Sequence, residues 1–162
     1  MLRLFSAVML VALACVVCPA QPFTGPLLFS RVAVNRTHVA FSYAGDLWVV
    51  ERAGGEARRL TTHAGEDNFP CFSPDGSQLA FSRQINNDWD IYVMPAEGGE
   101  ARRLTYMPED DLAAGWTPDG RSVLFNSHRD EEGVIRLWKI GLDGVTAEPL
   151  PLPQAYAGSY SP

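Results

Sequence analysis

The amino-acid sequence predicts an all-β chain folded as a partial β-propeller, an open arc of about three four-stranded antiparallel blades. Three observations predict it. Phe72-Ser73-Pro74-Asp75-Gly76 recurs 44 residues later as Trp116-Thr117-Pro118-Asp119-Gly120, and Tyr160-Ser161-Pro162 starts the same phrase after another 44. The octapeptide GGEARRLT occupies both Gly54 to Thr61 and Gly98 to Thr105, with a degraded third copy, GVTAEPLP, from Gly144 to Pro151. No stretch after residue 22 shows a sustained helical period, and a repeat in the low forties built of short apolar runs is the signature of propeller blades.

The first 20 residues stand apart from the repeat. Arg3 is followed by an uncharged run rich in Ala, Val and Leu from Leu4 to Val17, and Cys18-Pro19-Ala20 places small residues before Gln21. A positive start, a short apolar stretch and a small-residue cleavage site read as a secretory signal peptide over residues 1–20. An N-terminal membrane anchor is the competing reading, although the run is short for a bilayer and Pro19 and Pro22 end it. Ala12-Leu13-Ala14-Cys15 resembles a lipobox only loosely. The expectation is an exported protein, periplasmic or extracellular, with no membrane span after signal cleavage.

The repeats divide the rest into a first blade at 21–69, a second at 70–113, a third at 114–158 and the start of a fourth at 159–162. Each unit reads as four strands. Strand A precedes the Pro-Asp-Gly turn and is expected to be the shortest and innermost. Strand B is the segment Gln78 to Arg83 in the second unit, with Val39-Ala40-Phe41 and Val123-Leu124-Phe125 as its counterparts. Strand C is Asp90 to Met94, and its aromatic Tyr92 corresponds to Trp48 and Trp138. Strand D is Ala101 to Thr105. Proline presets φ for the A–B turn and Gly76 or Gly120 takes the positive φ, while Gly98-Gly99 serves the C–D hairpin. Alternation sends Leu79 and Phe81 to one neighbouring blade and Ala80 to the other. Phe41, Phe81 and Phe125 are expected to be buried, and the strand C aromatics to pack between blades. In the first unit Asn35-Arg36-Thr37 stands where the Pro-Asp-Gly turn belongs, and a turn accounts for this glycosylation-like triplet.

Composition excludes several functions. The net charge is −6, and removal of Arg3 makes it more negative. A nucleic-acid binder carries a basic footprint, so no nucleic-acid partner is expected. Cys15 and Cys18 leave with the signal, and Cys71 alone has no partner for an internal disulfide. It reads as a packed thiol. His38, His63 and His128 occupy non-equivalent places in the units. The sequence holds no HExxH, no CxxC after the signal and no GxSxG. No catalytic residue, metal ligand or cofactor site is expected in this chain.

The FSPDG, LAFS, DIYV and GGEARRLT elements together resemble the propeller repeats of the periplasmic Tol-system protein. The third unit narrows the resemblance. Gly115 to Gly120 (GWTPDG), Val123 to Arg129 (VLFNSHR), Leu150 to Pro153 (LPLP) and Gly158 to Pro162 (GSYSP) are similar to the first propeller of tricorn-type serine proteases. The resemblance covers the chain from about Pro26 onward. It implies a six-bladed ring, a second propeller of seven blades, and a PDZ-like module between two catalytic subdomains that hold the serine nucleophile and histidine base. The region carrying those residues has no counterpart here, so none is transferred. The signal peptide departs from the cytoplasmic archetype and implies an exported homologue. Ending at Tyr160-Ser161-Pro162, inside a turn phrase, implies a truncated chain.

The function expected from this is a non-catalytic propeller segment of an exported tricorn-like peptidase, a scaffold and channel wall for peptides. Its partners would be peptides or the remaining domains of the parent, which the resemblance makes a homo-oligomer. The alternative is a Tol-type propeller that binds a partner protein without catalysis, a reading that a preceding helical domain would favour. One constellation suggests a site. The B–C and D–A loops share one face of a propeller and here carry Glu66, Asp67, Asp110, Asp111 and Glu131, together with other carboxylates. Such a rim aids solubility. Read functionally, it is an electrostatic funnel at a channel mouth that favours cationic peptide ends.

Overall fold

The computed structural model describes residues 30–130 and 133–152. The expected signal peptide, Glu131 and the start of a fourth repeat at 159–162 lie outside the described residues. The first sheet contains β1 (Ser30–Val34), β2 (His38–Tyr43), β3 (Asp46–Glu51) and β4 (Arg58–Arg59). The second contains β5 (Glu66–Phe72), β6 (Gln78–Ile85), β7 (Asp88–Pro95) and β8 (Arg102–Arg103). The third contains β9 (Leu112–Trp116), β10 (Ser122–Ser127), β11 (Arg136–Gly141) and β12 (Ala147–Pro149). Each is a separate antiparallel meander with its strands in chain order, and the three do not close into a barrel. β1, β5 and β9 face one another across the arc, so the first strand of each sheet is innermost.

Turn chemistry fixes this division. Gly76 and Gly120 adopt φ of 76° and 68° after Pro-Asp. In the same turns Asp75 accepts hydrogen bonds from Ser73 Oγ (2.6 Å), Ser77 N (3.1 Å) and Ser77 Oγ (2.7 Å). Asp119 does likewise from Thr117 Oγ1 and Arg121 N. These donors favour the ionised form and pull the Asp75 pKa down to about 2. In the first sheet Asn35 Oδ1 replaces that aspartate, accepting from Thr37 N at 2.9 Å and His38 N at 2.7 Å. It makes an Asx turn rather than a left-handed one. The B–C hairpins are tighter than the sequence pattern suggested. Ala44-Gly45 and Asn86-Asn87 place both central residues at positive φ, the condition for a type I′ turn. The β6–β7 ladder therefore runs to the Ile85–Asp88 pair, two residues past the expected strand ends on each side.

One expectation is corrected. Strand A is not the shortest; β4 and β8 have two residues each, against five to seven in β1, β5 and β9. The cause is a side chain that takes over from the ladder. Thr61 Oγ1 accepts from Leu47 N at 3.0 Å, and Thr105 Oγ1 accepts from Ile91 N at 2.9 Å. Each hydroxyl satisfies a backbone donor that a longer fourth strand would otherwise pair.

Apolar side chains fill the two spaces between sheets. Leu79, Phe81, Tyr92 and Met94 meet Ala40 and Leu47 of the first sheet. Ala80, Ile91 and Val93, on the opposite face of the second sheet, meet Trp116, Val123 and Phe125 of the third. Phe41, Phe81 and Phe125 are all buried. At 25 cal/mol per Å² each such ring contributes roughly 1.5–3 kcal/mol. Two C–D turns press on the preceding sheet. A side chain at Gly98 would sit 3.5 Å from Leu60, and one at Gly144 would sit 3.3 Å from the Leu104 carbonyl.

Candidate functional site: the loop rims and the seams between sheets

Hydrogen bonds sort the loops into two rims. Ala96 N donates to Ser77 O, Arg52 N to Thr37 O and Leu142 N to Arg121 O, joining A–B turns to C–D turns. At the other end Asp111 N donates to Trp89 O at 2.7 Å, and Trp89 N donates to Asp110 Oδ1 at 3.2 Å. The D–A loop of one sheet thus lies against its B–C hairpin. Asp67, at the start of β5, and Asp75, beyond its end, lie at opposite ends of that strand.

The residues expected at the acidic rim divide by burial. Glu66 and Asp110 are exposed. Asp67 and Asp111 are 0% exposed. Strand alternation turns Asp67 inward beside an outward Glu66, and Asp67 receives Arg83 Nε at 2.6 Å and Arg83 Nη2 at 2.8 Å. The Arg83 guanidinium lies over the rings of Phe81 (5.3 Å) and Tyr92 (4.9 Å). Asp111 pairs with Arg129, which lies over Phe125 (4.8 Å) and Trp138 (5.5 Å). Burial pushes the Asp111 carboxyl up, while Ser127, Arg129 and Thr105 pull it back. Two of the five expected carboxylates therefore have their charge cancelled inside the protein. Glu66 and Asp110, with Glu109 beside Asp110 in the chain and Asp88 beside Trp89, whose backbone donates to Asp110, carry what remains of a negative rim.

Sequence reasoning missed these buried pairs. The position equivalent to Arg83 by the 44-residue period is Ser127, and the cation has moved two residues on to Arg129. A shift of two keeps the side chain on the same face of an extended chain, so the arrangement survives although the letters do not align.

A second repeated constellation lies beside the first. Asp46 pairs with Arg59, whose Nε donates to Thr61 O at 2.9 Å. Asp90 pairs with Arg103, whose Nε donates to Thr105 O at 2.7 Å. Burial raises Asp90 to about 6 against the pull of Arg103, with the neighbouring Asp88 adding to the rise. Thr105 also hydrogen-bonds Asp90 Oδ1 at 3.3 Å, and the seam to the third sheet is closed by Ser82. The Ser82 hydroxyl donates to Asp111 O at 3.1 Å and accepts from Ala113 N at 2.8 Å. In the third sheet the register places Arg136 where Asp46 and Asp90 stand, and Pro149 where Arg59 and Arg103 stand. Pro151 replaces the threonine, and the 44-residue period puts Ala155 in the place of Asp67 and Asp111.

Cys71 sits at the second seam, where burial pushes its thiol up to about 11, a packed and unreactive state. Of the three strand C aromatics, Tyr92 and Trp138 lie between sheets, whereas Trp48 is half-buried on the outer face of the first sheet, edge-on to Tyr43. Tyr92 belongs to the first seam and Trp138 packs on the second. Among the described residues no group of three or more His, Cys, Asp or Glu is placed to hold a metal ion, and no helix is long and apolar enough to cross a membrane.

Three separate four-stranded meanders arranged around their first strands are propeller blades. Residues 26–162 match the tricorn protease N-terminal beta propeller domain. The chain belongs to that family. Among solved structures, tricorn protease aligns with a TM-score of 0.75 and 24% identity over 85% of this chain and 14% of its own. A TolB-type structure from Agrobacterium tumefaciens aligns with a TM-score of 0.62 and 26% identity over 76% of this chain. TolB from Acinetobacter baumannii gives 0.65 and 19% over 78%. The tricorn-type chain described here spans 48% and 33% of those two proteins, respectively. No curated protein matches at a significant level.

Proposed function

We propose that this tricorn N-terminal propeller segment is a non-catalytic part of an exported peptidase, serving as scaffold and channel wall for peptide substrates or products. The family match over residues 26–162 supports the reading most directly. The innermost strands β1, β5 and β9 form the wall, and the exposed Glu66 and Asp110 contribute a negative rim at one mouth. Charge of one sign on a concave mouth raises the local concentration of oppositely charged ligands. Residues 1–20 direct export to the periplasm or beyond, and 21–69, 70–113 and 114–158 serve as successive blade units.

The test is titration of fluorescently labelled decapeptides into the purified chain. Lysine-rich peptides are expected to bind more tightly than glutamate-rich ones, with the difference reduced by salt and by Glu66→Gln with Asp110→Asn. No binding of any peptide up to millimolar concentration overturns the reading. N-terminal sequencing of the exported product checks cleavage after Ala20. The TolB-type matches support the second reading, a propeller that binds a folded partner without catalysis. Capture of one folded periplasmic protein with no binding of peptides would favour it.

A further inference from the structure

Among the described residues four arginines lie over aromatic rings: Arg31, Arg83, Arg103 and Arg129. The last three also hold a buried aspartate, Asp67, Asp90 or Asp111. Arg31 differs from them. It is exposed and has no carboxylate partner among the described residues. It alone of the four reaches from one sheet to a ring in another. Its guanidinium carbon stands 4.6 Å from the centre of the Phe69 ring, so the contact joins the innermost strands β1 and β5.

Both residues are held there at a cost. Each sits at a β-bulge, Arg31 at φ 51° and Phe69 at φ 55°, a conformation that large side chains rarely adopt. In the third sheet the counterpart of Phe69 is Ala113, which pairs with Phe125 and donates its N–H to Ser82 Oγ. Phe69 N donates instead to the side chain of its neighbour, Asn68 Oδ1, at 2.9 Å. Ser42, in the place of Ser82, keeps a buried hydroxyl with no partner among the described residues. Strain of this kind persists where a site needs a side chain out of its regular place. The ring so placed meets Trp89 edge-on at 6.1 Å. Exposed carboxylates of the acidic rim bracket the two rings. Asn68 Nδ2 reaches Glu66 Oε1 at 3.5 Å, and Trp89 N donates to Asp110 Oδ1.

We propose that Phe69 and Trp89, with Glu66 and Asp110, form a guanidinium-binding subsite at the acidic mouth, which Arg31 fills until an arginine side chain of a peptide displaces it. A cation is drawn to the negative face of an aromatic ring, and a planar, weakly hydrated guanidinium stacks there better than an ammonium. A guanidinium already rests on Phe69, and no carboxylate locks it in place. The subsite rests on the peptide-channel reading and adds to it a preference for arginine over lysine and a competitor built into the chain.

The experiment measures binding of three labelled hexapeptides to the full chain by fluorescence anisotropy. They differ at one central residue, which is arginine, lysine or citrulline, the last a neutral analogue of arginine. The arginine peptide is expected to bind most tightly and the citrulline peptide least. Arg31→Ala is expected to tighten the arginine peptide about tenfold and the lysine peptide by about threefold or less. Phe69→Leu added to Arg31→Ala should bring the arginine peptide down to the level of the lysine peptide. A second readout needs no Phe69 variant. The Arg31 Nε–H resonance, shifted by the Phe69 ring, should move to its free position as the arginine peptide saturates the parent chain. If Arg31→Ala tightens both cationic peptides by the same factor, or the Arg31 resonance stays in place at saturation, the subsite is overturned while the channel reading stands. If no peptide binds any variant, both fall.

Discussion

Removing the carboxylate of Asp67 should be among the most damaging single changes to this protein. The Arg83 side chain is 8% exposed and that of Asp67 0% exposed, and two charge-assisted hydrogen bonds of 2.6 and 2.8 Å join them. In Asp67→Ala the Arg83 cation stays buried, with only the Phe81 and Tyr92 ring faces left to it. Leaving one member of a buried pair uncompensated costs about 3–5 kcal/mol. Replacing both members by apolar residues, Asp67→Leu with Arg83→Met, removes the stranded charge. It should recover most of that loss, because a buried ion pair and a well-packed apolar pair are of similar worth. The exposed Arg58–Glu97 pair, 3.5 Å apart with side chains 51% and 76% exposed, is the internal control. Its loss in Glu97→Ala should fall within the range of about 0–1 kcal/mol for surface pairs. Urea unfolding followed by tryptophan fluorescence gives all four free energies. A loss below about 1 kcal/mol in Asp67→Ala, or a double variant less stable than the single one, would refute the reasoning.

Three further outcomes are expected. Gly65→Ala should destabilise the chain by more than about 2 kcal/mol, since the added Cβ would lie 2.2 Å from the Gln84 carbonyl oxygen and meet backbone, not a yielding side chain; a melting temperature unchanged from the parent would contradict this. Asp90 holds its proton more tightly folded than unfolded, with its pKa raised from 3.8 to about 6, so its contribution to stability is present below pH 3.8 and is lost as pH rises through about 6. Asp90→Asn should flatten that stretch of the pH–stability curve, leaving the part due to Asp111, and an unaltered slope would count against it. Cys71, pushed up to about 11 by burial, should resist alkylation by iodoacetamide at pH 8 and react promptly once urea unfolds the chain. Rapid labelling of the folded protein would show the thiol to be accessible.

Much of the fold was legible because its determinants are local. Pro74-Asp75-Gly76 and Pro118-Asp119-Gly120 specify their turns by chemistry contained within a few residues. Phe41, Phe81 and Phe125 recur because each is a buried centre of its strand B, Phe81 in the first seam and Phe125 in the second. The site was legible only in part, because the fate of a carboxylate depends on its partner. Nothing adjacent to Glu66-Asp67 in the chain reveals that the first side chain meets water and the second meets Arg83, 16 residues away. The two-residue displacement from Arg83 to Arg129 hid the recurrence of that pair. The length of strand D was misjudged for a related reason. Thr61 and Thr105 read as strand residues, yet their hydroxyls end the ladder by replacing it.

The coupled exchange of Asp, Arg and Thr for Arg136, Pro149 and Pro151, with Ala155 at the next aspartate position, has a mechanical consequence. In a linear array each unit is held mainly by its neighbours, and cooperativity extends only as far as the coupling between them. The last two strands of the first and second sheets are pinned to each other by an aspartate–arginine pair and a threonine hydroxyl, whereas in the third sheet the more exposed Lys139–Glu148 pair stands there instead. Under force or in denaturant, the last strand of the third sheet should part first, ahead of the equivalent strands of the other two. The chain thus carries a built-in fault line, and its position can be read from a stretch where a repeated octapeptide loses its letters.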